Sequence, residues 1–412
     1  MKVLMVSTEY PPMKGGVGRY TSKLVEALRK TGDEIVVEVA CNQDGQGEFA
    51  GISPTNERNS DVLLKIVEEE SRPDIVHVQF EPGLYGLIHD SANPSVSYTY
   101  IDEFYRECKV PIVTTFHSVY TLREWIGQSM AVKHHGRLGK FGIPLRVAVR
   151  TWKSIIAYGP FLRINKEKLK LSSAGICFSN YMSRLLGGGN IVYHGADPAL
   201  FPPLSKVKAR ANFGLPTDKM IAVAVGFGTA TKGWDILSKM EMPDRWVLVL
   251  NSSRSHFNKE QNMSNGVDKV NRLKQSTNNS NTNKVIDLQM GFLSEEELSI
   301  LFYASDIVVL PYKITSGSGV MFDALAHALP FVASNLDFFK EFEAMGLGIT
   351  ARRDPSSFAK AIEIIGKNYN SYLEAISNFA PKLRWEYIAK QHIEIYDRAI
   401  MQKRQTTTFQ SK

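Results

Sequence analysis

The stretch from Ile307 to Ala333 limits the possible folds more than any other part of the chain. Ile307-Val308-Val309-Leu310 is an apolar run of strand length, and Phe331-Val332-Ala333 is a second. Between them lie a loop of small residues and a segment with helical spacing, which Pro330 is expected to stop. Strand, loop, helix and strand in this order make a βαβ unit, whose parallel strands need helices on their faces. The helix starts from Ser316-Gly317-Ser318-Gly319-Val320, and a helix start presents backbone N–H groups and the positive end of its dipole to an anion. Phosphate is the usual occupant. Asp323 is the one carboxylate of the helix and suits ribose hydroxyls. Read locally, the same loop is also a plain capping turn with no ligand, and Asp323 a solvated helix residue.

The strand–helix alternation runs through the whole chain and restarts once. Lys2 to Val6, Ile35 to Ala40, Asp74 to Val78, Val110 to Phe116, Ser173 to Phe178 and Asn190 to Tyr193 read as strands of a first sheet. A linker at Leu200-Phe201-Pro202-Pro203-Leu204 precedes a second series: Met220 to Val225, Trp246 to Leu250, Val285 to Leu288 and the Ile307 strand. Asn251 to Asn283, rich in Asn, Ser and Lys, reads as an insertion with a helical patch near Val267 to Lys274. Ser294 and Glu297 have capping-box spacing. The expected fold class is α/β, with two Rossmann-like domains facing a cleft. The expected division is 1–200, 201–382, a helix over 383–402 that returns to the first domain, and a disordered tail over 403–412. Ligands bind beyond the carboxyl ends of such strands. Gly15 to Gly18, His117 and Thr315 to Gly319 all fall there.

A length of 412 residues favours two domains over one. Cys41, Cys108 and Cys177 are scattered and odd in number. They form neither a metal spacing nor a disulfide framework, so a reduced, cytoplasmic setting is expected. Met1 to Val6 reads as a first strand, too short for a secretory leader. No apolar run approaches the roughly 20 residues of a membrane span. Gly15, Gly16 and Gly18 do not form G-x-G-x-x-G, and no acidic residue ends the second strand at Cys41, which argues against nicotinamide binding.

In this order the motifs resemble those of the retaining GT-B glycosyltransferases of glycosyltransferase family 4. Tyr10-Pro11-Pro12 with Gly15-Gly16 is similar to the family's N-terminal glycine loop. Val76 to Gly83 resembles a frequent first-domain segment, and Thr115-Phe116-His117 the strand end that carries the family's active-site histidine. Val192 to Asp197 resembles the domain junction, and Gly226 with Lys232-Gly233 the start of the donor domain. Pro311 to Ser334 resembles the nucleotide-sugar signature. The resemblance implies transfer of a hexose from a nucleotide diphosphate sugar to a hydroxyl of a glycan, a lipid-linked or a small-molecule acceptor. It also implies retention at the anomeric carbon with no metal and no cofactor beyond the donor. Carried over residue by residue, it assigns His117, Lys232 and Thr315 to catalysis. Gly15, Gly16, Gly226, Lys232, Ser316, Gly317, Ser318, Gly319, Val320 and Asp323 are assigned to the donor. Three positions depart from the pattern. Thr315 and Asp323 stand where the family has two glutamates, and Phe227 where it has an arginine after the glycine.

The leaving group of such a transfer is a diphosphate, which needs cations and N–H donors already in place. Lys232 and the amides around Gly317, Ser318 and Gly319 fit that need. On residue type alone, His117 is equally a satisfied core histidine and Lys232 a surface lysine. His194 reads as structural, and His134 with His135 as surface. Two other functions share the cradle: a non-catalytic nucleotide-sugar-binding subunit, and an epimerase working on the sugar nucleotide alone. Tyr120 to Lys170 carries eleven basic and two acidic residues interleaved with aromatics, a surplus beyond the chain's whole net charge of +7. It suits an anionic membrane surface, an acceptor bearing phosphate, or a solvated basic face. No nucleic-acid module is present, so nucleic acid is not an expected partner.

Overall fold

The structure is a computed structural model and describes residues 1–32, 34–89, 97–131, 143–200, 203–253 and 284–410. His134 and His135, the linker residues 201–202 and most of the insertion, with its expected helical patch, lie outside the described residues. The chain divides into two compact units, Met1–Gly195 with Trp385–Lys412, and Ala196–Arg384. The boundaries thus fall a few residues from those expected at 200 and 382.

In the first unit, β1 (Lys2–Val6), β2 (Val36–Cys41), β3 (Phe49–Ala50), β4 (Ile75–Phe80), β7 (Ile112–Phe116), β8 (Ala174–Cys177) and β9 (Asn190–Ile191) form a parallel sheet. The short pair β5 (Ile88–His89) and β6 (Ser97–Tyr98) stands apart as an antiparallel ladder. The main sheet has the order β3-β2-β1-β4-β7-β8-β9. β4 and β7 are buried along their full length, as strands covered on both faces must be. Helix α1 (Gly16–Arg29) follows β1 and packs against the C-terminal helix, which belongs to this unit.

The second unit repeats the plan. β10 (Met220–Phe227), β11 (Trp246–Ser253), β12 (Val285–Asp287), β13 (Ile307–Leu310), β14 (Phe331–Ser334) and β15 (Gly348–Ala351) make a parallel sheet of order β12-β11-β10-β13-β14-β15. Trp234, Trp246, Leu248, Val309, Val332, Phe358 and Ile362 form the core against one face of it. Counted within each sheet, the orders are 3-2-1-4-5-6-7 and 3-2-1-4-5-6, the doubly wound Rossmann arrangement. Such a sheet reverses direction between its first and fourth strands, and ligands bind at that point. Here the reversals lie between β1 and β4, and between β10 and β13.

Three expectations change. The insertion starts later, because Asn251 to Ser253 extends β11. The C-terminal helix runs from Trp385 to Gln410, so most of the expected disordered tail is helical. The segment has neither glycine nor proline to end it. The helix after β13 is Gly319–Ala326 and stops well before Pro330. Ala328 takes φ 60, with Ala328 N–H donating to Leu325 O and Leu329 N–H to Ala324 O. This is a Schellman stop with alanine in the place usually held by glycine. The left-handed residue costs about 1–2 kcal/mol.

Candidate functional site

At the reversal of the second sheet, the chain leaves β10 through Gly226 and Phe227 and makes a tight turn at Ala230–Lys232. Lys313 N–H donates to Thr231 O at 2.7 Å, which joins this turn to the loop after β13. Lys232 Nζ lies 3.7 Å from the centroid of the buried Tyr312 ring, a cation–π contact across the same junction. Gly233 permits the close approach: a Cβ there would meet Pro311 O at 1.7 Å.

The loop itself is ordered by its own hydroxyls. Thr315 Oγ1 donates to Gly317 O and accepts from Gly317 N–H at 3.2 Å. Ser318 caps the following helix, its Oγ accepting from Met321 N–H. These bonds divide the expected cradle. The Gly317 amide is used inside the loop, and Thr315 closes the turn where the family carries a carboxylate. The first-turn amides of Gly319 and Val320 are the ones a helix start directs toward an anion. Asp323 is buried one turn further on.

Two more cations flank this region, and neither was singled out from sequence. Arg353, just after β15, donates to both Asp235 oxygens at 3.0 Å, and Lys313 Nζ lies 3.5 Å from the same carboxylate. Burial alone would raise the Asp235 carboxyl. Lys313 and Arg353 outweigh it and hold the group below its ordinary value. Among these described residues, Lys232, Lys313 and Arg353 outnumber Asp235 and Asp323. Phe227, which stands where the family has arginine, instead packs on Phe292, with centroids 6.3 Å apart and planes at 30°.

At the reversal of the first sheet, Gly15 precedes α1 and Gly16 begins it. The helix start already holds a carboxylate of the chain. Glu9 Oε2 accepts from Gly18 N–H at 2.9 Å, and a Cβ on Gly15 would fall 1.7 Å from Glu9 Oε1. Glycine at 15 is therefore explained by Glu9, whatever else the loop binds. Glu81 follows β4, and burial raises its carboxyl to about 7 against an opposing Ser118 hydrogen bond, with Glu9 adding to the rise.

His117 follows β7, half-buried, with Tyr20 and Phe178 packed edge-on at 5.3 and 5.2 Å. Burial, with His194 nearby, lowers its pKa to about 3, so the ring is neutral at physiological pH. Its Nε2 lies 2.9 Å from Gln79 Oε1. His194 joins the same aromatic group, 4.9 Å from Tyr20 and 6.1 Å from Trp385, and its Nδ1 is 2.8 Å from Gly195 O. Among the described residues no group of His, Cys, Asp and Glu could hold a metal ion.

Two doubly wound sheets, each carrying its candidate residues beyond the carboxyl ends of its strands, define the GT-B class of fold, and comparison with known proteins places the chain there. No family model matches the sequence. An uncharacterized glycosyltransferase of Methanocaldococcus jannaschii is 22% identical over 417 residues, covering 96% of this chain and 98% of the relative. Sucrose-phosphate synthase from Thermosynechococcus elongatus superposes with a TM-score of 0.65 at 18% identity, over 96% of this chain and 98% of that one. The Anabaena protein HepE, in complex with UDP and glucose, gives a TM-score of 0.62 at 15% identity, over 96% and 98%.

Proposed function

We propose that this protein is a glycosyltransferase that moves a hexose from a nucleotide diphosphate sugar to an acceptor hydroxyl with retention of anomeric configuration. The observation that carries the reading is that the Lys232 turn is joined to the loop after β13 at the reversal of the second sheet: Lys313 N–H donates to Thr231 O, and Lys232 sits over the Tyr312 ring, whose OH lies 3.5 Å from Oγ of Ser318, the cap of the Gly319–Val320 helix start. In the reaction the bond from the anomeric carbon to the diphosphate oxygen breaks. The acceptor oxygen forms the new bond on the same face, and its proton passes to the departing diphosphate. Charge grows on the diphosphate as the bond breaks. Cations and amides fixed there beforehand lower the barrier without reorganising. Asp323 takes the ribose hydroxyls. A UDP-sugar is the first donor to try, as HepE is seen with UDP and glucose.

The test is release of nucleoside diphosphate across a panel of donors and acceptors, with and without EDTA. Acceptor-dependent release that survives EDTA supports the reading. Conversion of the sugar nucleotide alone would make the protein an epimerase, and binding without turnover a donor-binding subunit. Lys232→Ala is expected to lower kcat/KM by about 10²-fold. Unchanged kinetics would remove Lys232 from the site.

The second part of the proposal concerns the basic segment, which forms α2 (Leu122–Ala131) and α3 (Ile143–Leu171). Its side chains divide. Trp125 stacks on buried Phe161 at 4.2 Å, and fully buried Lys168 pairs with Asp102 at 2.7 Å, so these are structural. On the outer side Val149, Trp152 and Ile155 are 45%, 64% and 46% exposed, beside exposed Lys153. Apolar groups next to cations fit an anionic lipid surface. Among the described residues no helix is long and apolar enough to cross a membrane. Vesicles containing phosphatidylserine should retain the protein at low salt, and Trp152→Ser should weaken retention. Equal retention on phosphatidylcholine vesicles would refute an anionic surface as the partner.

A further inference from the structure

The first unit contains a buried polar chain that the proposed reaction does not by itself require. His77 and Gln79 lie on β4 two residues apart, so both point to one face of the sheet. Parallel register places His77 beside Met5 of β1, and Gln79 beside Thr115 of β7. His77 Nδ1 is 2.6 Å from Tyr396 OH on the C-terminal helix, and its Nε2 is 2.8 Å from Thr115 Oγ1. Gln79 Nε2 is 3.3 Å from His77 Nε2, and Gln79 Oε1 is 2.9 Å from His117 Nε2. His77, Gln79, Thr115 and Tyr396 are all fully buried.

Hydrogen positions follow from the network. Gln79 Nε2 also lies 3.1 Å from Met5 Sδ. A thioether sulfur can only accept, so the amide nitrogen of Gln79 faces it and the amide oxygen faces His117. Gln79 Oε1 can only accept, so His117 carries its proton on Nε2. On the other side, Gln79 N–H points at His77 Nε2 at 3.3 Å, and the Thr115 and Tyr396 hydroxyls, which can each donate or accept, complete the two ring nitrogens of His77. Burial keeps His77 neutral, with His392 and His117 working in the same direction, which agrees with one proton per ring.

We infer that Gln79, set by Met5 and His77, is a positioning residue that fixes His117 in the Nε2–H tautomer and leaves the lone pair on Nδ1. An imidazole in that state accepts from a hydroxyl and does not donate from Nδ1 to a phosphate oxygen. Where the glycosyltransferase reading has His117 touch substrate, the group its Nδ1 can take is a sugar or acceptor hydroxyl. This last step rests on the glycosyltransferase reading, whereas the tautomer does not.

The test is a long-range ¹H–¹⁵N spectrum of the histidine-labelled full chain at pH 7, with the His117 signals assigned from His117→Gln. The parent should show His117 Nε2 in the protonated range and Nδ1 in the unprotonated range. Gln79→Leu should move both toward the averaged values of mixed tautomers, and lower kcat by roughly 10–100-fold with little change in donor KM. A parent spectrum with the proton on Nδ1, or Gln79→Leu with unchanged His117 shifts, overturns the inference. The parent spectrum decides the tautomer even if the variant does not fold. The expected shifts with no transferase activity on any donor would sink the functional reading and leave the tautomer standing.

Discussion

Gly233→Ala should be among the most damaging single-methyl changes in the second unit, lowering stability by more than about 4 kcal/mol. Two effects combine. The residue has φ 73 and ψ 24, where an L side chain costs about 1–2 kcal/mol. The added Cβ would also stand 1.7 Å from Pro311 O and 2.7 Å from Pro311 C. Those are backbone atoms, so no rotamer change relieves the contact. Either the Ala230–Lys232 turn or the loop after β13 must move. Both are held, by Lys313 N–H to Thr231 O at 2.7 Å and by Trp234 Nε1–H to Phe227 O at 3.0 Å. The shift would separate Lys232 from Tyr312, so nucleotide binding should fall with stability. Gly214→Ala supplies the control, because Gly214 has φ 61 with open space around its Cβ position. It should cost only the conformational part. Denaturant unfolding of both variants, with nucleotide titration of any folded Gly233→Ala protein, checks this. Equal losses in the two variants would mean that the approach to Pro311 is not close in solution.

Much of the plan was readable in sequence because a fully buried parallel strand has to be a short apolar run. β1 and β13 fall at the residues their apolar runs mark, and the capping box at Ser294 and Glu297 forms as its spacing implies. β15 was missed because Gly348-Ile349-Thr350-Ala351 has one strongly apolar residue and looks like a loop. The donor loop was visible as a glycine-serine turn, but which of its amides remain for a ligand depends on where the Thr315 hydroxyl points. Arg353 lies 118 positions from Asp235, and Tyr396 lies 319 from His77. Nothing local links residues so far apart. They meet because parallel strands bring distant loops to one end of a sheet, and because the last helix returns to the first unit. The Gly15 turn has a local explanation that its sequence does not show. A glycine before a helix suggests an anion from outside, and here the nearest anion is Glu9 of the same chain.

The other large effect expected is loss of stability in weak acid, and it comes from the same buried polar layer. His392 and His77 are fully buried, with rings 5.5 Å apart. Burial lowers His392 to about 4 against the opposing effect of its bond to Ile388 O, and holds His77 well below its ordinary value. In the unfolded chain both titrate near 6.5. As pH falls through about 6.5 the unfolded chain takes up protons that the folded chain refuses, so the balance moves toward unfolding. For His392 the loss at pH 5 is about 2 kcal/mol, and His77 adds to it with the same sign. Glu81 works the other way. Its folded value of about 7 is above that of a free carboxyl, so the folded state gains from it as pH falls from 7 toward the ordinary carboxylate range. Two fully buried imidazoles, with half-buried His117 in support, oppose one carboxyl, and the net direction is destabilising. His392→Leu isolates the term. His392 Nε2 is a buried atom with no hydrogen-bond partner, and its Nδ1 meets only a helical carbonyl, so removing the ring leaves no side-chain partner unsatisfied. The variant should match the parent or exceed it near pH 7.5 and lose about 2 kcal/mol less on going to pH 5. Urea unfolding at pH 7.5, 6 and 5 reads the difference, in which the Glu81 contribution cancels. Parallel pH curves for parent and variant would show that His392 is not held neutral by burial.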